Sequence, residues 1–308
     1  MAFTDIAYKY VDAEGAKKII SNCSLRFTRP SGMNDPFDVR IDELIDTELE
    51  QFLVENLTVH SNQFLQNPAP YLKSKGIESD ATEEIINTLL ALSDEEKSKL
   101  NSELVATDFA VLYPDLDGMK KRIAAETQFV ISNLENSGIF CATRNHSNLL
   151  MWAHYADQHR GLVLGFKPCL PKDSMLTLLE PVIYSERRPA FYDPKLDWVL
   201  DPHDEEATRR IIANVLKRIN FTKSIHWSYE EELRLVIPDE VNPENVASTL
   251  KYHPEELVEI YFGCRMQENI KNEISVLVQK LNPKVSIFQS HLAKYSYELQ
   301  FTKILEKG

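Results

Sequence analysis

Three consecutive glutamates stand directly before an apolar segment in "HWSYEEELRLVIP". Side chains alternate along a strand, so a strand that begins here sends Glu230, Glu232 and Arg234 to one face and Glu231 to the other. Such a row is either a solvated salt-bridging edge or the wall of a cleft in which a carboxylate is held against a cation. On the cleft interpretation, Glu230 and Glu232 are catalytic candidates and Arg234 is a ligand-binding candidate.

Aromatic residues precede these glutamates. Trp227 and Tyr229 directly precede this row on the expected strand and are expected to put aromatic rings beside the carboxylates. Solvated faces seldom need such rings, which favours the cleft interpretation. We therefore predict that Trp227 contacts a bound ligand.

The segment "MWAHYADQHRG" places Trp152, Tyr155 and His159 within one helical face, with His154 beside Tyr155. One interpretation is an amphipathic helix with Trp152 and Tyr155 in the core; the other puts His154 or Tyr155 in a polar pocket. His154 and His159 are five residues apart, whereas paired metal-binding histidines on a helix lie at i and i+4. We expect no metal site here.

The loop "FTRPSGMNDPFD" carries two prolines that fix φ, Pro30 and Pro36. Its second half has short polar side chains around a single ring. We predict that this part forms a rigid lip of a pocket, with Asn34 and Asp35 at the mouth and Phe37 anchored in the core.

The N-terminal "YKY" sends Lys9 and Tyr10 to opposite faces of a strand. One of the two must face inward. A buried Lys9 needs a partner, and Asp35, Asp38 and Glu232 are the candidates.

The elements that must position these residues follow from periodicity. Residues 5–28 predict a strand, a helix capped by Asp12 and a second strand. Residues 41–136 show helical spacing throughout, with a capping box formed by Ser93 and Glu96. We predict an α+β fold with a mixed, mostly antiparallel β core made of residues 1–40 and 137–308, and a helical insertion made of residues 41–136.

In the second part of the core we predict a helix over 147–161 with Ser147 as its N-cap, a strand over 176–185 and a helix over 204–224. Strands are also expected at 138–144, 162–166, 232–238 and 257–263. A helix over 267–281 and two final strands complete the pattern.

The net charge of −13 argues against a general binder of phosphate backbones. A local basic cleft stays open, with candidate members Arg144, Arg160, Lys223 and Arg234 and the pair Arg187 and Arg188. No apolar run is long enough to span a membrane and no secretory signal is present, so we expect a cytoplasmic protein without a membrane partner. Four widely separated cysteines fit reduced thiols.

Five motifs carry a resemblance to a known family. In chain order they are "YKY", "LRFTRPSGMNDPFD", "MWAHYADQHRGLVLGF", "WSYEEELR" and "IYFGCRM". Together they resemble the bacterial domain-of-unknown-function family 2971, whose members look like accessory or toxin-like genes in bacterial and phage-defence settings. The helical region lies outside the pattern.

A more distant resemblance is to ADP-ribosyltransferase-like folds, which carry a catalytic glutamate, often as Glu-x-Glu, at the start of a late strand. Glu230 to Glu232 sit in a suitable place, while Lys9 or Tyr10 stands where an arginine or histidine is expected. The resemblance implies a transferase or glycohydrolase with NAD as its substrate and a protein or nucleic acid as acceptor. An antitoxin or a phage protein is a further implied partner.

In this leading hypothesis Glu232 stabilises positive charge at the ribose, with Glu230, His154 and Tyr155 as further catalytic candidates. The residues expected to contact NAD are Lys9, Tyr10, Asn34, Asp35, Arg160, Trp227 and Arg234. Two alternatives stay open. One is a non-catalytic sensor or binding module of a defence system, and the other is a metal-dependent phosphodiester hydrolase.

Overall fold

An eight-stranded sheet forms the centre of the larger of two units in the computed structural model of the chain, which describes residues 2–40, 49–74, 81–112, 115–189, 205–238 and 249–304. The sheet unit comprises Met1–Arg40, Ser132–Arg188 and Asn220–Gly308, and the helical unit comprises Ile41–Ile131 and Pro189–Ile219. The predicted limits of the insertion, 41–136, stay a prediction.

The strands of the sheet unit have the following bounds: β1 Ala7–Val11, β2 Ser24–Arg26, β3 Gly138–Thr143, β4 Leu162–Phe166, β5 Glu180–Pro181, β6 Ile183–Ser185, β7 Thr222–Ser224, β8 Glu232–Ile237, β9 Thr249–Lys251, β10 Leu257–Phe262, β11 Ser286–Leu292 and β12 Leu299–Lys303. Their order in the main sheet is β12-β11-β10-β4-β1-β3-β8-β5. Within it β10 and β11 run parallel and the other neighbours run antiparallel. The prediction of a mixed, mostly antiparallel core is confirmed.

The helices are α1 Ala13–Asn22, α2 Leu49–Gln66, α3 Pro68–Ser74, α4 Ala81–Ala91, α5 Asp94–Leu112, α6 Leu116–Asn136, α7 Leu149–Tyr155, α8 Glu205–Asn220 and α9 Glu268–Leu281. In the helical unit α2 packs against α5, and the Ser93 and Glu96 capping box is formed at the start of α5. Among the residues that the structure describes, no helix combines the length and hydropathy needed to cross a bilayer.

Helices α1 and α9 pack together, and each buries one apolar face in the main core of the sheet unit. Ala16 and Ile20 on α1 and Ile274 and Val278 on α9 are buried in that core. The Asp12 side chain accepts a hydrogen bond from the Gly15 backbone N–H at 2.6 Å, as expected of an N-cap.

A smaller aromatic core includes residues of α7, β1 and β10. Trp152 is fully buried and its ring meets Tyr10 edge to face at 5.5 Å between centroids. The core interpretation of Trp152 is therefore correct, because an indole of this size contributes most when it is removed from water.

The helix that carries Trp152 is shorter than the sequence predicts. Its N-cap is Asn148 rather than Ser147, and it ends at Tyr155 rather than near Gly161. The following residues 157–159 adopt positive φ values of 44°, 53° and 69°, which are incompatible with a continuing α-helix. Periodicity alone did not reveal this left-handed turn.

Two other segments also differ from the sequence-based assignments. The predicted strand over 176–185 is a 3-10 turn at Met175–Leu178 followed by the short strands β5 and β6. The predicted helix over 204–224 ends at Asn220, and Thr222–Ser224 pairs with β6 as a parallel strand. A tertiary strand pairing thus overrides the helical pattern at Lys223.

The main sheet opens between β1 and β3. Strand β1 pairs with β4 along all of Ala7–Val11, whereas its register with β3 is described at the pair of Tyr8 and Thr143. Among the described residues no further pair of β1 and β3 is in register on the side where Lys9, Tyr10 and Cys141 lie, and we describe the strands as parting there. The separation leaves room for a pocket at the centre of the sheet.

Candidate functional site

A cavity of about 230 Å³ lies where β1 and β3 part. Its wall is built from four strands, from α7, from the loop after β2 and from the turn before β8. The residues that line it are Tyr8, Lys9, Tyr10, Thr28, Gly32, Met33, Asn34, Cys141, Ala142, Thr143, Met151, Tyr155, Lys223, Glu230 and Glu232. Sequence motifs far apart in the chain therefore converge on one site.

Buried charges form the floor of this pocket. The Lys223 ammonium lies 2.6 Å from Glu230, 2.8 Å from Glu232 and 3.7 Å from Asp38. The fully buried Arg234 guanidinium donates to Glu232 at 2.6 Å and to both oxygens of Asp38. Three carboxylates and two cations leave one formal negative charge in this cluster, which we call the carboxylate floor.

The electrostatics of the floor shift the pKa values of Glu232, Lys223 and Arg234 in the directions that favour their charged forms. Burial by itself raises the pKa of Glu232, but the nearby charges of Arg234 and Lys223 outweigh it and bring that pKa to about 2. For Lys223, burial lowers the pKa, and the carboxylates of Glu232 and Glu230 more than reverse the effect. Glu232 is therefore an anion throughout the physiological pH range.

A backbone reversal at Glu231 lets Glu230 and Glu232 meet. Glu230 ends a 3-10 turn at Ile225–Glu230, Glu232 starts β8, and Glu231 between them has a left-handed φ of 46°. Both flanking side chains then reach Lys223. The expected common face is correct for Glu230 and Glu232, but it arises from this turn and not from strand alternation.

The same turn shows that the predicted strand face for the upstream aromatic residues is wrong. Trp227 lies in the 3-10 turn, and its ring covers the Lys223 ammonium at 5.1 Å from Nζ to the centroid. Tyr229 lies beside that ring at 6.1 Å between centroids. Trp227 thus contacts Lys223 of the floor but does not line the pocket. The prediction of a strand face failed because side chains repeat every three residues in a 3-10 turn and every two in a strand.

A chain of hydrogen bonds links the floor to the pocket mouth. Tyr155 donates to Glu230 Oε1 at 2.6 Å and accepts from the exposed Asn34 Nδ2 at 2.7 Å. Burial, followed by the hydrogen bond to Glu230, raises the pKa of Tyr155, so its phenol stays protonated at neutral pH. Asn34 and Tyr155 therefore connect the loop after β2 with α7, as the lip hypothesis expects.

The rest of that lip differs from the expectation. Asp35 is buried and accepts from the Phe37 backbone N–H at 2.9 Å, so its carboxylate shapes the loop and does not line the pocket. Phe37 is 66% exposed, and the prediction that it anchors the loop in the core is wrong. The loop is anchored instead by Asp38, whose carboxylate accepts hydrogen bonds from Arg234. A buried ion pair of this kind fixes the loop without a buried apolar side chain.

Lys9 has a different partner from those expected. Its ammonium donates to the backbone carbonyl of Cys141 at 2.6 Å and lies 5.2 Å from the centre of the Phe140 ring. In the part of the chain that the structure describes, no ion pair joins Lys9 to Asp35, Asp38 or Glu232, because Lys223 and Arg234 already hold these last two carboxylates. Lys9 thus adds a positive charge to the pocket wall.

Three other candidates lie away from the cavity wall. His154 is exposed and meets the Tyr155 ring edge-on. Arg160 is exposed and pairs with Asp157 at 2.8 Å, a partner three residues before it. Arg234 lies beneath the wall, where it orients Glu232 and Asp38.

Lys223 and Tyr8 are the pocket residues that sequence reasoning undervalued. The sequence suggests Lys223 only as part of a basic cleft, because the helical pattern before it conceals its strand position. Tyr8 directly precedes Lys9 and Tyr10, and nothing in its spacing singles it out. The interruption of the helix by "NFT", which has two residues of high β propensity, is the signal that could have placed Lys223 on a strand.

The carboxylate floor resembles a cation site that already has its cation. Asp38, Glu230 and Glu232 surround the Lys223 ammonium, and no group of three or more ligands suited to a metal ion occurs among the residues the structure describes. Cys141, which lines the pocket above the floor, has a thiol pKa raised by burial. The thiol is therefore protonated at neutral pH and a poor nucleophile.

Five of the fifteen described residues that line the pocket fall within a segment that matches a known family model. Residues 151–235 match the family model described as "Protein of unknown function (DUF2971)". The matched segment contains Tyr155, Lys223, Glu230 and Glu232, and it supports the family resemblance seen in the motifs. No curated protein and no solved structure matches the chain.

Proposed function

We propose that the pocket cleaves the N-glycosidic bond of NAD and transfers ADP-ribose to a macromolecular acceptor, or to water when no acceptor is bound. The observation that carries the proposal is the carboxylate floor. It presents buried carboxylate oxygens of Glu230 and Glu232 to a cavity whose wall carries tyrosines and Lys9, and within the floor itself the carboxylates exceed the cations by one.

A floor of this kind suits a reaction that develops positive charge. When the bond between ribose C1′ and the nicotinamide nitrogen breaks, its electron pair leaves with nicotinamide, which becomes neutral. The ribose then carries oxocarbenium-like charge, and a fixed anion nearby lowers the energy of that state. Glu232, whose pKa is held at about 2, would supply this anion at any physiological pH.

Glu230 is better placed than Glu232 to accept a proton when the acceptor attacks the ribose, because fewer hydrogen bonds occupy its carboxylate oxygens. Its oxygens accept from Lys223 and Tyr155, whereas those of Glu232 accept three hydrogen bonds from Lys223 and Arg234. A carboxylate offers about four acceptor positions, so Glu230 keeps more of them free. As a new bond forms from the acceptor to C1′, the acceptor's proton would pass to Glu230.

The size and the charges of the pocket bear on which part of NAD it holds. At about 230 Å³ it is smaller than the roughly 300–1,000 Å³ of most ligand pockets, so it suits the nicotinamide-ribose end and leaves the adenosine end outside. Lys9 on the wall offers a cation to the pyrophosphate. Tyr8, Tyr10 and Tyr155 supply the aromatic surface for the nicotinamide ring.

The proposal is tested by incubating the purified full chain with NAD carrying a label on nicotinamide, with and without a cell lysate as acceptor source. We expect the wild type to release nicotinamide and the Glu230→Gln variant to lose roughly 100-fold or more in kcat, the usual scale for a lost proton-transfer group. Thermal unfolding of each variant shows whether the fold is kept.

The matched control is Glu268→Gln, which makes the same chemical change at an exposed carboxylate paired with Lys271 on α9. Its activity should equal that of the wild type. A wild type that releases no nicotinamide, with or without the lysate, contradicts the proposal and leaves the binding-module alternative. A Glu230→Gln variant with undiminished activity removes Glu230 from the mechanism.

A further inference from the structure

One row of residues in register crosses five strands of the main sheet and ends in a glutamate on each side. Strand by strand, the row is Glu259 on β10, Gly165 on β4, Tyr8 on β1, Thr143 on β3 and Glu232 on β8. Residues in one row share a face of the sheet. Glu232 belongs to the carboxylate floor, whereas Glu259 lies two strands beyond Tyr8 and outside the residues that line the pocket.

The Tyr8 side chain extends from β1 across Gly165 of β4 and reaches Glu259 on β10. Its hydroxyl donates to Glu259 Oε2 at 3.2 Å, and Tyr261 donates to the same oxygen at 2.8 Å. Gly165 makes this reach feasible, because a Cβ added there would lie 3.2 Å from Tyr8 Cε1 and 3.0 Å from Glu259 Cβ. The hydroxyl is therefore fixed on the side of Tyr8 that faces away from the floor, while Tyr8 also lines the pocket.

Neighbouring rings hold the Tyr8 ring from the side. His146 lies 5.0 Å from Tyr8 between ring centroids and stacks on Tyr261 at 4.4 Å. Tyr261 also meets Tyr8 edge-on at 6.1 Å. With its side packed by rings and its hydroxyl bonded to Glu259, the Tyr8 ring has one orientation along the pocket wall.

We propose that Glu259 is a positioning residue for the pocket, acting through Tyr8, whose ring it fixes as a preorganised aromatic wall for the ring of the bound substrate. The proposal rests on the proposed function, since it concerns the same site. The substrate contacts this wall equally in the ground state and in the transition state. Fixing the wall in advance therefore strengthens substrate binding without changing the rate of the chemical step. Glu259 should therefore affect KM and leave kcat nearly unchanged.

The kinetic test compares Glu259→Ala, Glu259→Gln, Tyr8→Phe and Tyr261→Phe in the full chain with NAD as substrate. Loss of the anchor in Glu259→Ala should raise KM roughly tenfold with little change in kcat, which is the scale of one hydrogen bond to a charged group. Tyr8→Phe should reproduce that increase. The double variant Glu259→Ala/Tyr8→Phe should raise KM no further than either single change, because both remove the hydrogen bond between Tyr8 and Glu259.

Two variants separate positioning from a purely structural role. Glu259→Gln keeps an acceptor oxygen and should restore KM to within roughly threefold of the wild type, since a neutral acceptor still holds the phenol. Tyr261→Phe removes the other phenol on the same oxygen, in a residue outside the pocket lining, and should leave KM unchanged. An unchanged KM in Glu259→Ala, or an equal increase in Tyr261→Phe, overturns the proposal.

A second measurement keeps the inference separate from the proposed reaction. 3-Fluorotyrosine placed at position 8 reports the ring by ¹⁹F NMR in the protein without substrate. Glu259→Ala should shift and broaden this resonance, and Glu259→Gln should largely restore it. If the wild type does not consume NAD but the resonance responds in this way, the proposed function fails and the positioning of Tyr8 by Glu259 stands. A resonance unaffected by Glu259→Ala overturns the positioning itself.

Discussion

Lys223 is the residue around which the candidate site is organised. A buried ammonium is costly unless charges and hydrogen bonds compensate for its lost hydration, and here Glu230, Glu232 and the face of Trp227 surround it. The same contacts fix both carboxylates at the pocket floor. Stability and the proposed chemistry therefore depend on the same few atoms.

The convergence on Lys223 requires the left-handed conformation of Glu231. Non-glycine residues pay roughly 1–2 kcal/mol for this conformation, so Glu231→Gly should leave the free energy of unfolding unchanged or raise it by up to about 1 kcal/mol. Glu231→Ile should lower it by roughly 1–3 kcal/mol, because a β-branched side chain tolerates positive φ worst. Urea unfolding at neutral pH measures both values.

The exposed Glu231 side chain accepts one hydrogen bond, from Asn145 at 3.1 Å, and Glu231→Gln serves as the control that keeps an acceptor there. Its unfolding curve should match that of the wild type. A Glu231→Gly variant less stable than Glu231→Ile would show that the backbone conformation is not what limits this position.

At the scale of elements, helices with local start signals were the most predictable. Helix α1 begins after Asp12 as expected, and α5 begins after the Ser93 capping box. Short elements were missed. The 3-10 turns at Met175–Leu178 and Ile225–Glu230 last about one or two turns, too short for periodicity to identify, and strand β7 is set by its partner β6.

The cap of α1 gives a prediction at this scale. Asp12→Ala removes the acceptor for the Gly15 N–H and should lower the stability of the helix by about 1 kcal/mol, while Asp12→Asn should keep most of it. Hydrogen exchange of the amides in Ala13–Asn22 is the measurement. Faster exchange in Asp12→Asn than in Asp12→Ala would contradict the capping role.

At the scale of the whole molecule, the sequence carries a net charge of −13, and the sheet unit buries ionised carboxylates and their cations at its centre. Charges that are paired in the native state and solvated in the unfolded chain make stability depend on pH. The lowered pKa of Glu232 determines the direction of this pH dependence and the pH range in which it occurs.

The native pKa of Glu232, about 2, is below its ordinary value of 4.5. A lowered native pKa means that the unfolded chain binds the proton more readily, so the stabilisation is fully present above pH 4.5 and is lost as pH falls towards 2. The difference corresponds to roughly 3 kcal/mol. The gap in unfolding free energy between wild type and Glu232→Gln should therefore be larger at pH 7 than at pH 3.

Denaturant unfolding at both pH values measures this gap, and Glu268→Gln is the matched control at an exposed carboxylate. The control should show no comparable pH-dependent gap. A gap between wild type and Glu232→Gln that stays constant from pH 7 to pH 3 would mean that Glu232 does not titrate in this window.

Local signals account for what the sequence determined by itself. Alternation and helical spacing gave the mixed, mostly antiparallel core, and the motifs identified Lys9, Tyr10, Asn34, Tyr155, Glu230 and Glu232, all of which line one pocket. The predicted burial of Phe37 was wrong, because a large ring is buried only where the loop turns its side chain inward. The buried ion pair of Asp38 and Arg234 holds the loop in a conformation that leaves Phe37 exposed.

Only the tertiary structure decided how these residues meet. It parted β1 from β3 to open the pocket, placed Lys223 under both glutamates and aligned Glu259 with Tyr8 across Gly165. Each of these depends on strand neighbours that are far apart in the chain. Residue types and their spacing specify which face a side chain takes, whereas strand order and register determine what it faces.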